Sequence, residues 1–214
     1  MEFRNYVLED RAALNLAGEI SSSFVNGPGD RYVVWSSYCP IGCLNCFNPE
    51  LWSDRVVKLE YPDDLGLRIL MSGCEGVTLS GGEPMSQPVA LLQLLKFLHD
   101  GKRCRFPLGI ICFTGYELEE VFRDPLCSQI ASLVDVLVSG PYVDSLKSSV
   151  GIGGSTNKRF WYNTRKGRGK SLVSPDVIEF DRSVELHDDL DGIIVTGFPN
   201  FDRQELRKLG LRIL

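Results

Sequence analysis

Histidine is scarce in this chain: His99 and His187 are the only two in 214 residues, and they lie far apart in sequence. A zinc site of the paired Cys/His kind therefore lacks its second half, because no second Cys-x-x-Cys and no His pair is present. Excess positive charge is missing too. Lys and Arg total 23 against 28 Asp and Glu, a net charge of −5, so long-range electrostatics exerts no pull toward nucleic acid or anionic lipid. No window approaches the ~20 apolar residues that a membrane span needs. Residues 1–10 carry neither a basic nor an apolar leader region, so the expectation is a cytoplasmic protein without a membrane partner. There is no internal repeat and no low-complexity tract.

What is present is an average globular composition, 43% hydrophobic and 24% charged, enough to build a substantial core. Seven cysteines is an odd count, and in a reducing compartment structural disulfides are not expected. Cys74, Cys104 and Cys127 are scattered, with no role legible beyond packing. Cys112, inside the apolar run Leu108–Phe113, reads as a small core hydrophobe. The remaining three cysteines stand together.

The chain alternates. Arg31–Ser36 reads as a buried strand, Leu65–Met71 as a helix opened near Pro62, Gly76–Ser80 as a strand and Pro88–His99 as a helix. Leu108–Phe113 and Val134–Ser139 read as strands, with short helices over Glu117–Phe122 and Leu126–Ser132 between them. Strands separated by helices imply parallel pairing. Further on, residues 144–170 show no clear period, Val177–Phe180 and Gly192–Val195 are strand-like, and Arg203–Leu209 is helical. Residues 1–30 carry little periodicity and end in the turn Asn26-Gly27-Pro28-Gly29-Asp30. The expected class is α/β with mostly parallel strands. An eight-unit barrel needs ~250 residues, so an incomplete (βα) barrel fits better. Residues 1–25 are expected as an N-terminal extension, 26–200 as the partial barrel, and 201–214 as a tail of the same domain.

Cys39-Pro-Ile-Gly-Cys43-Leu-Asn-Cys46 places three soft thiolate ligands on the loop after the first strand, suited to zinc or to an iron–sulfur cluster. A thioredoxin-like pair would leave the third cysteine unexplained. A four-iron cluster with three protein ligands uses all three and leaves one iron open to a small chelating molecule. After the second strand, Ser80-Gly81-Gly82-Glu83-Pro84 lets backbone approach closely at the end of the strand where parallel folds bind ligands.

The Cys-x3-Cys-x2-Cys loop combined with Gly81-Gly82-Glu83-Pro84 resembles the radical S-adenosylmethionine (SAM) superfamily. Several segments narrow the resemblance: Asn26–Arg31, Cys46-Phe47-Asn48-Pro49-Glu50 with Trp52, Thr114-Gly115-Tyr116, Asp135–Tyr142 and Gly154–Arg159. These are similar to the glycyl-radical activating proteins of anaerobic ribonucleotide reductases. Thr196-Gly197-Phe198-Pro199 is similar to an ending in the same group. The resemblance implies a 4Fe-4S cluster on Cys39, Cys43 and Cys46, with SAM chelating the open iron and its methionine end near Gly81, Gly82 and Glu83. Asn45 and Phe47 would lie against the adenosine. Many superfamily members have an aromatic residue where this chain has Asn45, and Phe47 would supply the stacking face instead. Tyr116 and Ser139, at later strand ends, are further candidates for the same pocket.

The implied reaction is reductive cleavage of SAM to a 5′-deoxyadenosyl radical and hydrogen abstraction from a protein or peptide backbone, fed by a reducing donor such as flavodoxin. The partner would be a glycyl radical enzyme, or a ribosomally made precursor peptide with its recognition protein. An iron–sulfur electron carrier or a zinc-binding module is the non-enzymatic alternative. Residues 158–170 hold six basic residues and three consecutive aromatics. A solvated loop, a docking surface for an acidic protein and a nucleic-acid patch all stay open, the overall acidity weighing against the last. Glu117, Glu119 and Glu120 read as an exposed helix face.

Overall fold

A computed structural model describes residues 1–100, 109–148, 152–163, 184–189, 192–197, 208 and 211–214. Its strands are β1 (Tyr6–Leu8), β2 (Arg11–Ser23), β3 (Arg31–Ser36), β4 (Lys58–Glu60), β5 (Gly76–Gly81), β6 (Ile110–Phe113), β7 (Val136–Ser139), β8 (Arg159–Tyr162), β9 (Val184–Asp189), β10 (Gly192–Gly197) and β11 (Arg212–Ile213). The helices are α1 (Pro62–Ser72), α2 (Pro88–Asp100), α3 (Leu118–Arg123) and α4 (Pro125–Leu133). The main sheet runs β1-β2-β3-β5-β6-β7-β8, with β4 on β2. Its centre, β3-β5-β6-β7, is parallel, and β2 and β8 flank it antiparallel. The fold is therefore α/β with a parallel central sheet. Among the described residues no helix is long and apolar enough to cross a membrane.

Local chemistry explains the elements. Pro62 and Pro125 open α1 and α4, where a missing N–H costs nothing. The Asp124 carboxylate accepts from the N–H groups of Leu126 and Cys127, both at 2.9 Å, and so caps α4. Gly73 ends α1 in the left-handed region at φ 77°. Strand residues alternate between two faces. Tyr32, Val34, Val77, Leu79, Ile110, Cys112 and Leu137 meet the buried sides of the helices in the main core. On the opposite face Val33 and Trp35 pack with Ile194 and Leu214, and Ile111, Val136 and Val138 pack with Phe160 and Tyr162. A smaller sheet, β11-β10-β9, thus covers the β2–β3 side of that second face.

The structure departs from expectation in two places. Residues 1–25 carry β1 and the long β2, where little periodicity is visible. β2 is covered over most of its length on both sides, which erases the alternation. The aperiodic 144–170 stretch contains β8. The expected pieces Val177–Phe180 and Arg203–Leu209 lie outside the described residues apart from Lys208, as does Cys104. Cys112 is fully buried as expected, and Cys74 and Cys127 are buried as well.

Candidate active site at the carboxyl ends of the parallel strands

The Cys loop leaves β3 and the Gly-Gly-Glu-Pro turn leaves β5 side by side, because the two strands pair in register up to Ser36 opposite Gly81. The pairing continues beyond the strands. Gly82 N–H donates to the Ser36 carbonyl at 2.7 Å and Glu83 N–H to the Tyr38 carbonyl at 2.8 Å. Both glycines are required by this closeness. At Gly81, φ is 106° and a Cβ would sit 2.5 Å from Ser36 backbone atoms; at Gly82 a Cβ would run into the Tyr38 carbonyl. The backbone that the glycines admit is the chain's own, the residues leading directly into Cys39. Gly82→Ala should therefore push the turn off the Cys loop and cost about 1–3 kcal/mol, read as a lowered denaturation midpoint.

The three thiols are half-buried. The Cys46 sulfur accepts from the Asn48 N–H at 3.4 Å, and nearby backbone amides, those of Ile41 and Gly42 for Cys39 and of Tyr142 and Cys43 itself for Cys43, favour the thiolates. Desolvation pushes the Cys39 thiol up to about 12, with Glu83 adding to the rise, and burial also raises Cys43. Thiols in such surroundings ionise by exchanging the proton for a metal. Among the described residues no three His, Cys, Asp or Glu side chains converge as ligands of one metal ion do. In a cubane each thiolate takes a separate iron.

Glu83 is fully buried. Its carboxylate accepts from Met85 N–H at 2.9 Å, Thr114 Oγ1 at 2.8 Å and Gly115 N–H at 2.6 Å. It braces the β5 exit against the β6 exit, while Gly115 also sits closely against Ile41 of the Cys loop. Burial raises the Glu83 carboxyl to about 7 despite these donors. The folded value lies above the unfolded value of 4.5, so between the two the unfolded chain ionises while the folded one keeps its proton. The contribution of Glu83 to the stability of the metal-free protein should be fully present below pH 4.5 and be lost as pH rises through about 7, by at most ~1.4 kcal/mol per pH unit. Glu83→Gln should flatten that limb in denaturation curves recorded across pH.

Other sequence candidates find different settings. Ser139 Oγ donates to the Tyr116 carbonyl at 2.7 Å, tying the β7 end to the β6 exit. Tyr116 is buried, and its hydroxyl accepts from Glu2 N–H at 3.0 Å and faces the Glu2 carbonyl at 3.2 Å. The Glu2 carboxylate accepts from Tyr38 Oη at 2.6 Å, so residue 2 links two loops of the site. Asn45 is exposed, at φ 56°, and its amide donates to Asp144 at 2.9 Å. Phe47 is half-buried beside Cys46.

Two residues before β8 escaped the sequence-based site list. Lys158 donates through its ammonium to the Gly140 carbonyl at the β7 exit. Asn157 donates to the Pro141 carbonyl at 2.8 Å, and its buried Oδ1 has no hydrogen-bond partner. The available signal was their place within the Gly154–Arg159 segment. The aromatic run beside them belongs to the sheet: Trp161 meets Phe122 edge-on with ring centroids 5.4 Å apart, and Phe160 and Tyr162 lie on the opposite face. The three aromatics are half-buried, with their rings engaged in the packing of the sheet. Of the three glutamates, Glu120 accepts from the Glu117 N–H at the α3 start and Glu119 pairs with Arg159 at the surface.

A cysteine-rich loop zipped to a glycine turn at the carboxyl ends of parallel strands defines an iron–sulfur protein of the radical SAM class. The model of the 4Fe-4S single cluster domain family matches residues 25–161, and the chain belongs to that family. Within it the chain groups with the glycyl-radical activases, whose cofactors are a 4Fe-4S cluster and SAM. It is 30% identical over 147 residues to the anaerobic ribonucleoside-triphosphate reductase-activating protein of Enterobacteria phage T4, covering 66% of this chain and 89% of that protein. The protein of the same name from Haemophilus influenzae is 32% identical over 127 residues, 56% of this chain and 78% of that one. The pyruvate formate-lyase-activating enzyme of Staphylococcus epidermidis is 40% identical over 86 residues, 36% of this chain and 34% of that enzyme. These relatives are named as activators of other enzymes, and they lend no support to a precursor-peptide reading.

Proposed function

We propose that this chain activates an anaerobic ribonucleotide reductase by forming a glycyl radical on it, with Cys39, Cys43 and Cys46 holding the cluster. The observation that carries the ligand assignment is three half-buried free thiols on one loop, bonded at its start to the Gly82-Glu83 turn, which suits thiolates bound to iron. Held by Cys39, Cys43 and Cys46, the cluster would supply the single electron for reductive cleavage of the sulfonium C–S bond of SAM, giving methionine and the 5′-deoxyadenosyl radical that would take a hydrogen atom from a partner glycine.

The chain's own residues hold and shape the pocket. Gly81 and Gly82 fix the turn beside the Cys loop and present its backbone to the methionine end of SAM. Glu83 contributes by holding the two neighbouring turns together, and Ser139 and Tyr116 hold the next pair. Phe47 offers the adenosine an apolar surface and Asn45 closes the loop onto Asp144. The orphaned Asn157 Oδ1 supplies an acceptor for a donor on the cofactor. The central strands with their flanking neighbours β2 and β8 form an incomplete barrel, and its mouth receives the partner's glycine loop. A donor of the flavodoxin kind reduces the cluster in the cytoplasm.

The test is to mix the anaerobically reconstituted protein with SAM, a reductant and a purified anaerobic ribonucleotide reductase. A glycyl-type doublet in the electron paramagnetic resonance spectrum of the reductase is expected. SAM cleavage without any radical on the reductase would refute the assignment of the partner.

A further inference from the structure

Lys158, within the Gly154–Arg159 segment, had no role assigned from the sequence. Its stem packs against Gly153, where a Cβ would come within 3.0 Å of Cγ, so the chain is narrowed to let the side chain lie down. Its ammonium is then fixed on the Gly140 carbonyl. Four residues further along, Asp144 accepts from the Asn45 amide of the cluster loop at 2.9 Å. One short segment after the β7 exit therefore holds both a cationic head and the stretch of loop between Cys43 and Cys46.

We infer that Lys158 is a positioning residue that sets a fixed positive charge against the Cys43 edge of the cluster and so raises its reduction potential. This rests on the cluster assignment made above. The charges felt by this ammonium agree with it: burial lowers its pKa, and Cys43, Glu83, Glu117 and Cys46 act in the opposite sense. Each coordinating thiolate adds negative charge, and reduction adds one more. A nearby cation stabilises the reduced form more than the oxidised one, in a setting where water screens little.

The experiment uses reconstituted holoprotein and three variants, Lys158→Met, Lys158→Gln and Lys158→Arg. Potentials are read by redox titration of the reduced-cluster resonance, with iron content and equilibrium SAM binding measured alongside. In Lys158→Met the reduced-to-oxidised ratio at fixed ambient potential should fall about tenfold, which is ~59 mV for one electron, at unchanged iron content. Lys158→Gln keeps a donor for the Gly140 carbonyl without the charge and should shift likewise, so it decides the matter if the Met variant loads poorly. Lys158→Arg should restore the wild-type potential. Loaded Gln and Met variants with an unmoved potential overturn the inference, as does a loss of SAM affinity without a shift. A wild-type protein that takes up no cluster overturns the parent reading instead.

Discussion

Cys43→Ala should abolish both iron–sulfur loading and SAM cleavage, reducing 5′-deoxyadenosine formation to the background of the protein-free reaction. The loss is total because Cys43 is the middle one of the three thiols. Removing it strips a corner of the cluster, while the Asn45 amide still ties the loop to Asp144 at 2.9 Å, so the loss is of a ligand and not of the loop. The remaining two ligands cannot hold a cubane whose affinity derives from several bonds made together. Cys43→Ser keeps a hydrogen-bonding atom of similar size but is a harder, less acidic ligand, and should retain at most traces of iron. Iron analysis and product chromatography check both variants. A Cys43→Ala protein that still cleaves SAM would remove that residue from the ligand set.

The second large effect lies at the other end of the sheet. Arg31, the first residue of β3, is fully buried. Its Nε donates to Thr78 Oγ1 at 2.6 Å, and its two terminal nitrogens donate to the carbonyls of Val77 at 2.6 Å, Gly109 at 2.9 Å and Pro28 at 3.2 Å. The guanidinium thus fastens the amino-terminal ends of β3, β5 and β6. Gly27 and Gly76 leave room for it, since a Cβ at either would strike the side chain. Burial lowers its pKa to about 10, so it stays charged at neutral pH. Arg31→Ala should leave buried acceptors without donors as well as a cavity, and destabilise by on the order of 4 kcal/mol, a large share of the 5–15 typical of a domain. Arg31→Lys keeps the charge but cannot span the carbonyls and should recover only part of the loss. Denaturant titration of the two variants measures both values. A midpoint unchanged in Arg31→Ala would contradict this role.

Arg31 also shows what a sequence reveals and what it hides. The Asn26–Arg31 segment was legible as a motif, yet it belongs to the end of the sheet remote from the cysteines. Its partners there are Thr78, which donates to the Asn26 carbonyl at 2.8 Å, and Thr196 of β10, joined to the Asn26 side chain at 3.0 Å. A motif tells that a position is constrained and is silent about which end of the strand imposes the constraint. The parallel strands and their helices were readable because each helix buries one face and keeps a helical period. β2 was not, because Ala, Gly and Ser residues covered on both sides leave no alternation to read. In β8 the basic neighbours Arg159 and Lys158 drew attention from three aromatics that divide between the two faces of the sheet. Within the site, the cysteines and glycines were visible through their spacing. The brace formed by Glu83 was not, because it depends on Thr114 and Gly115 arriving from another strand, and no local pattern encodes that meeting. Lys158 is hidden for the same reason: its significance is its distance from Cys43, which the sequence spreads over more than a hundred residues.

The central claim is that three sulfurs leave one iron free for the amino-acid end of SAM. Hyperfine spectroscopy of the reduced holoprotein, with SAM carrying a heavy-nitrogen label on its amino group, tests it most directly. A coupling between that nitrogen and the cluster is predicted. A saturating amount of SAM that produces no such coupling, or a cluster whose fourth iron already carries a side chain, would contradict it.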